Sequence, residues 1–282
     1  MASPSRPVTQ LDKSAVLDGL FAEWDDIEAL LDGLTESQWH AASPLPGWNV
    51  HDVTAHMIGT ESMLQGAATP EADVDVSTLK HVRNDIGVLN ERWVRRLRGV
   101  SSAELLEKFR ATTAERRTAL AEMSDGTWNE ITATPAGPDS YGRFMRVRVF
   151  DCWMHQHDIR DALDQPAADS DLTGPASRLA LEEMAASMGF VVGKLGGAPD
   201  GSRVAIELTG PLQRTINVHV QGRARVVEDF DAEPTASISI DGLLFTRLAG
   251  GRTTPAQHPG AVSYGGDEAV GRRIVEHLNY VI

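Results

Sequence analysis

Apolar side chains recur at steps of three and four residues along the first half of the chain. In the first segment they are Leu17, Leu20, Trp24, Ile27, Leu31 and Leu34. Steps of that length place side chains on one face of an α-helix. Comparable stripes follow the capping residue Asn49 and cross residues 82–97 (with Ile86, Leu89 and Trp93), 102–123 and 143–163. Long amphipathic helices joined by loops predict an up-and-down helical bundle.

The pattern changes near Gln165. After one more helix, at about residues 175–195, apolar and polar residues alternate, which is the period of a β-strand. The alternating positions are Val204, Ile206 and Leu208, then Ile216, Val218 and Val220, then Val226, and finally Ile238 and Ile240. Two further helical stretches complete the chain. We therefore predict two domains: a helical bundle in residues 8–165 and a smaller α+β domain in residues 166–282.

Composition and charge narrow the classes of partner. The chain has 282 residues, of which 41% are hydrophobic, enough for two cores. Its formal net charge of −14 repels phosphate backbones, so we expect no nucleic acid partner. No run of about 18 apolar residues is present, so we expect no membrane span. The single cysteine, Cys152, fits a reducing compartment, and we expect a cytoplasmic protein.

The last predicted bundle helix has polar residues where a core requires apolar ones. Asp151, His155 and Asp158 lie on its buried stripe, and unpaired buried charge costs several kcal/mol. Asp151 and His155 are one helical turn apart, so they share a face. His56 lies on the buried face of the helix that follows Asn49. The three side chains predict a divalent metal site with an open fourth position.

Ordinary interpretations of the same residues stay open at this stage. The Asp151–His155 spacing also suits a hydrogen-bonded core pair, and a single buried histidine is commonly satisfied by a protein partner. Asp158 fits either a hydrogen-bond acceptor for a metal-bound imidazole or a bridge between helices. Cys152 fits a small core residue. His51, about 140° around the helix from His56, should face elsewhere.

Three stretches together resemble a known family. They read LPGWNVHDVTAH at residues 45–56, RVFDCWMHQHDI at residues 148–159 and DGLLFTRLAGGR at residues 241–252. Their sequence and order are similar to those of the mycothiol-dependent maleylpyruvate isomerase family of actinobacteria, over nearly the whole chain. The resemblance implies a DinB-like four-helix bundle at the N-terminus. It also implies a C-terminal α+β domain related to sterol carrier proteins.

The resemblance also implies a metal site and a thiol cosubstrate. The family binds a divalent metal, zinc being the leading candidate, through two histidines and a carboxylate that is usually glutamate. These positions fall on His56, His155 and Asp151, so this chain has the shorter carboxylate. A functional arginine position falls on Arg252, although Gly-Gly-Arg is also ordinary chemistry for a helix end. The implied cosubstrate is mycothiol.

The implied reaction is the addition of a low-molecular-weight thiol to a small electrophile, by a transferase or an isomerase. A bound divalent cation yields thiolate at neutral pH, which is the useful nucleophile. One alternative is a metal-dependent hydrolase. Another is a non-catalytic protein that binds a small ligand or lipid and has a structural metal. The expected partners are a small thiol and an electrophilic substrate, bound by a monomer or a homodimer.

Overall fold

The computed structural model describes residues 8–281, which divide into two compact units. The first unit ends at Ala167 and the second begins at Ala168. The first is almost wholly helical, whereas the second combines a β-sheet with helices. The predicted fold class, a helical N-terminal domain followed by an α+β domain, is confirmed.

Four long helices form the core of the first unit. Its helices are α1 (Lys13–Leu31), α2 (Glu36–Trp39), α3 (Val50–Leu64), α4 (Asp85–Leu97), α5 (Ser102–Glu122), α6 (Asp125–Trp128) and α7 (Tyr141–Leu163). Helix α1 packs against α5 and α7, and α3 packs against α4, α5 and α7. Helices α1, α3, α5 and α7 therefore make the predicted four-helix bundle. A short hairpin, β1 (Ile131–Thr132) with β2 (Asp139–Ser140), precedes α7.

Side-chain caps fix where the two helices that matter most for the site begin. The Asn49 side chain accepts from the backbone N–H of Asp52, and the Asp52 side chain accepts from the backbone N–H of Asn49. At α7, Ser140 accepts from the backbone N–H of Arg143. Such caps satisfy amide donors that the helix itself leaves free, and each contributes about 1 kcal/mol.

Helices α3 and α4 approach closely at a glycine. A Cβ added at Gly59 would lie 2.4 Å from the Cβ of Trp93. Real Cβ atoms do not approach so closely, so a larger residue at this position would force the two helices apart. The glycine thus sets the separation of α3 and α4.

The segment before α1 is fastened to the hairpin and to α7. The Thr9 backbone N–H and hydroxyl donate to the two Asp139 carboxylate oxygens, at 2.7 and 2.9 Å. Arg143 donates to the same carboxylate at 2.9 Å. Burial raises the pKa of Asp139, but the hydrogen bonds from Arg143, Thr9 and Ser140 outweigh it and hold that pKa well below its ordinary value.

The second unit is built on one five-stranded sheet. Its elements are α8 (Pro175–Phe190), β3 (Arg203–Thr209), β4 (Arg214–Gln221), β5 (Arg223–Val227), β6 (Ala236–Asp241), α9 (Gly242–Ala249), β7 (Val262–Gly266) and α10 (Glu268–Glu276). The strand order is β5-β4-β3-β6-β7, with β3 and β6 parallel and the other pairs antiparallel. Ile206 of β3 pairs with Ile238 of β6. The four predicted strands are present, and β7 is an addition.

Helical structure covers the predicted range of about 175–195. Helix α8 gives way after Phe190 to a π-helical turn over Val191–Leu195. No helix within residues 8–281 has the length and apolar character that crossing a bilayer requires.

Candidate metal centre

The three side chains predicted as metal ligands lie together between α3 and α7. One nitrogen or oxygen atom from each of His56, Asp151 and His155 falls within 4.8 Å of the other two. His56 Nε2 is 3.3 Å from Asp151 Oδ2, and His155 Nε2 is 3.5 Å from Asp151 Oδ1. Both histidines are buried, while the Asp151 side chain is 31% exposed. The carboxylate therefore stands on the open side of the cluster.

Helix geometry explains this arrangement. Asp151 and His155 are four residues apart on α7, so one turn of a single helix places them side by side. His56 comes from the middle of α3, which packs directly on α7. Two backbone elements are therefore enough to assemble the cluster.

A second carboxylate orients His155. The Nδ1 atom of His155 is 3.0 Å from Asp158 Oδ2, and Asp158 is fully buried. A proton on Nδ1 that is donated to Asp158 leaves the Nε2 lone pair available to a metal ion on the side of Asp151. Burial opposes the charged form of His155, but Asp151 and Asp158 outweigh it and raise its pKa. Metal-bound imidazoles usually have such a hydrogen-bonded carboxylate.

His56 is buried beside an indole ring. The centroid of Trp48 is 5.3 Å from that of His56 and 6.5 Å from that of His155. Trp48 is itself held by Glu91, which accepts from its Nε1 at 2.9 Å. Burial lowers the pKa of His56, against the opposing effect of Asp151. The neutral imidazole favoured in this way is the form that binds metals.

These residues fit a divalent transition-metal ion. Two imidazole nitrogens and one carboxylate oxygen are a ligand set that zinc uses in open, three-ligand sites. His56 Nε2 and His155 Nε2 lie 3.3 and 3.5 Å from the Asp151 oxygens, and His155 is oriented by Asp158. The cluster can present Nε2 of each ring toward the same oxygen-bearing side chain.

A buried ion network behind the cluster was not predicted from the sequence. Arg148 of α7 donates from Nη1 to Asp151 Oδ2 and from Nε to Glu61 Oε1, the latter at 2.8 Å. Arg116 of α5 donates to the other Glu61 oxygen at 2.8 Å. Burial alone would raise the pKa of Asp151, but Arg148 and then the two histidines hold it well below its ordinary value. Arg116, which falls among the apolar residues Leu105, Phe109 and Leu120 of α5, is a sequence signal that could have indicated this network.

Neighbouring polar residues do not join the cluster. The His51 ring lies 2.9 Å from the carbonyl oxygen of Val100, in agreement with its predicted orientation away from His56. The His157 ring packs edge-on against Trp153, with the two ring centroids 4.3 Å apart. Cys152 is wholly buried, and burial raises the pKa of its thiol, so it does not supply a thiolate at neutral pH.

Arg252 lies in the second unit, directly after α9. Gly251 has a φ of +68°, and the Arg252 backbone N–H donates to the carbonyl of Arg247 at 2.9 Å. This is the left-handed helix ending that glycine favours. The Arg252 side chain donates to the carbonyl of Gly250 at 2.5 Å. The residue thus takes part in the helix end, and its catalytic role stays a prediction.

Comparison with known proteins gives matches to both halves of the chain. Residues 20–160 match the family described as Mycothiol maleylpyruvate isomerase N-terminal domain, and residues 178–273 match the MDMPI C-terminal domain. Uncharacterized proteins from two strains of Mycobacterium tuberculosis are 26% identical over 200 residues, which cover 71% of this chain and 75% of theirs.

Solved structures with the same fold are also found. The crystal structure of the mycothiol-dependent maleylpyruvate isomerase superposes with a TM-score of 0.59 at 16% identity, covering 90% of this chain and 93% of that one. A histidine-to-alanine mutant of that enzyme gives a TM-score of 0.57 at 17% identity with the same coverage. At these identities the structural likeness establishes the fold alone.

Proposed function

Because this chain belongs to the mycothiol maleylpyruvate isomerase family, we propose that it is an enzyme that uses a divalent metal ion, zinc first, and mycothiol. Its reaction adds the thiol to a small electrophile and ends either in isomerisation of that electrophile or in a stable S-conjugate. The observation that carries the proposal is the convergence of His56, Asp151 and His155 within 4.8 Å.

The chain's own residues divide the work in this proposal. His56, Asp151 and His155 hold the ion, and Asp158 fixes the ring of His155. When bound, the divalent cation lowers the pKa of a thiol so that thiolate exists at neutral pH. Trp48 covers the two imidazole rings on one side, which leaves the exposed face of Asp151 as the direction from which small molecules approach.

We propose that Arg252 binds the anionic group of the electrophile. A guanidinium can donate two parallel hydrogen bonds to a carboxylate or an enolate, a geometry that an ammonium does not match. This assignment rests on the family resemblance of the stretch that ends at Arg252. A thiol cosubstrate of this kind also requires a reducing environment, and we propose the cytoplasm as the location.

The test of the metal site is His56→Ala, with His51→Ala as the matched control on the same helix. Both substitutions remove a buried imidazole from α3, but only His56 belongs to the cluster. We expect His56→Ala to lose metal by elemental analysis while helical circular dichroism is retained, because the bundle has its own apolar core. Equal metal content in the two variants would contradict the proposed site.

The same two variants test the thiol. Mycothiol should raise the melting temperature of zinc-loaded wild type and of His51→Ala, because a ligand that binds the folded state stabilises it. It should not do so for His56→Ala, and S-methyl mycothiol, which has no free thiol, should give a smaller shift. A protein that holds zinc but does not respond to mycothiol would favour a hydrolase or a structural metal instead.

A further inference from the structure

The buried network behind the cluster contains one arginine that contacts two carboxylates at once. Arg148 is 3% exposed, and its guanidinium lies between Glu61 and Asp151. In a third contact, Nη2 lies 3.5 Å from the sulfur of Cys152. A guanidinium with three such contacts has little freedom to move, because its donors are fixed in one plane.

Charge neutralisation of Glu61 does not by itself explain Arg148. Glu61 already receives Arg116, which donates to it at 2.8 Å, is 2% exposed and is further held by the hydroxyl of Tyr141 at 3.1 Å. One buried carboxylate needs one buried cation for charge balance. The second cation is therefore balanced by Asp151, and the network runs from Arg116 through Glu61 and Arg148 to the metal cluster.

The two oxygens of Asp151 have different surroundings. Oδ2 accepts from Arg148 and also lies 3.3 Å from His56 Nε2, whereas Oδ1 faces His155 Nε2 at 3.5 Å and takes no hydrogen bond from the arginine. A carboxylate can bind a cation through one oxygen or through both, and a hydrogen bond to one oxygen favours binding through the other.

We propose that Arg148, anchored by Glu61, is a positioning residue that makes Asp151 a one-oxygen metal ligand. The consequence is a coordination position that a two-oxygen carboxylate would fill and that stays open for the thiol. This inference rests on the proposed metal site. It concerns a residue that acts through Asp151 and does not itself touch the substrate.

The test uses cobalt(II) in place of zinc, because its visible absorption weakens as its coordination number rises, so geometry can be measured without turnover. We compare wild type, Arg148→Met and Arg143→Met. Arg143 is a matched control, because it is also a buried arginine of α7 and lies five residues before Arg148. It pairs with Asp139 and not with the metal cluster. We expect a loss of visible absorption intensity in Arg148→Met alone, as the released Oδ2 joins the ion.

The outcomes separate this inference from the function on which it rests. Wild type that binds no cobalt would overturn both. Wild type and Arg148→Met with coincident cobalt spectra would overturn the role of Arg148 and leave the metal site intact. If Arg148→Met does not fold even with metal, Arg148→Lys keeps a cation beside Glu61 and loses the two-pronged donor. The same loss of intensity is then expected, and a wild-type spectrum would overturn the inference.

Discussion

At the scale of single residues, the carboxylate of the cluster belongs to an aspartate, the shorter of the two acidic side chains. Asp151 has one methylene fewer than a glutamate, yet its oxygens lie 3.3 and 3.5 Å from the Nε2 atoms of His56 and His155. The third contact of Asp151, from Arg148, comes from one turn earlier on the same helix. The shorter side chain is thus accommodated between fixed partners.

The proposed role of Arg252 is tested by Arg252→Lys, with the exposed Arg223→Lys as control. Lysine keeps the charge but loses the paired hydrogen bonds to an anionic substrate. A charge-assisted hydrogen bond contributes about 1.5–3 kcal/mol, so mycothiol-dependent turnover of an anionic electrophile should fall about 10- to 100-fold at unchanged metal content. Steady-state kinetics with elemental analysis measure both quantities. Unchanged turnover in Arg252→Lys would remove this residue from the reaction.

At the scale of secondary-structure elements, the sequence predicted long helices well because their signals are local. Apolar stripes and the capping side chains of Asn49 and Ser140 lie within a few residues of the elements that they define. The hairpin β1–β2 was not predicted, because its strands have only two residues each. Strand β7 was not predicted either, because it ends in two glycines and lacks a clear alternation.

The buried face of α4 shows the limit of such patterns. The predicted stripe contains Ile86, Leu89 and Trp93, which are half-buried, whereas Glu91 is 1% exposed. Glu91 is buried because Trp48 and His81 bond to the same carboxylate oxygen, at 2.9 and 3.1 Å. The site likewise depends on partners that are distant in the sequence. Spacing along α7 indicates the Asp151–His155 pair, but Arg148 meets Glu61 only once two helices have packed.

The close approach of α3 and α4 is tested by Gly59→Ala. Alanine favours a helix by up to about 1 kcal/mol over glycine. Its Cβ, however, would lie 2.4 Å from Trp93, and overpacking a core costs about 1–3 kcal/mol. The cost of the clash should exceed the gain in helix propensity. Urea denaturation should therefore give a lower free energy of unfolding for Gly59→Ala than for the wild type. Gly99→Ala is the control, because a Cβ there meets nothing within 4 Å. Equal stability in the two variants would show that α4 shifts freely.

At the scale of the whole molecule, acidity and stability are linked through buried carboxylates. The chain has 40 acidic and 26 basic side chains. A carboxylate links acidity to stability when its pKa differs between the folded and the unfolded state. Asp139 is such a group, because it is 3% exposed and joins the segment before α1 to α7.

We therefore expect Asp139→Asn to reveal a pH-dependent part of the stability. The pKa of Asp139 is lowered on folding, from an unfolded value of about 3.9, so its contribution is complete above that pH. It is lost as the pH falls through the lower folded value. The free energy of unfolding of the wild type should exceed that of the variant by about 1.5–3 kcal/mol at pH 7, and this difference should narrow below about pH 4. Urea midpoints at several pH values measure this, and a gap that widens in acid would contradict it.

The placement of two cluster residues on one helix has a mechanical consequence. The separation of Asp151 from His155 is set by a single turn of α7 and hardly varies, whereas His56 arrives from α3. An ion held there has one adjustable dimension, the gap between two packed helices. The stiffness of the bundle then decides which ionic radius the site accepts. The residence time of the bound ion depends on how often α3 and α7 separate. The lifetime of the ion would be a dynamic property of the fold as much as a chemical property of three ligands.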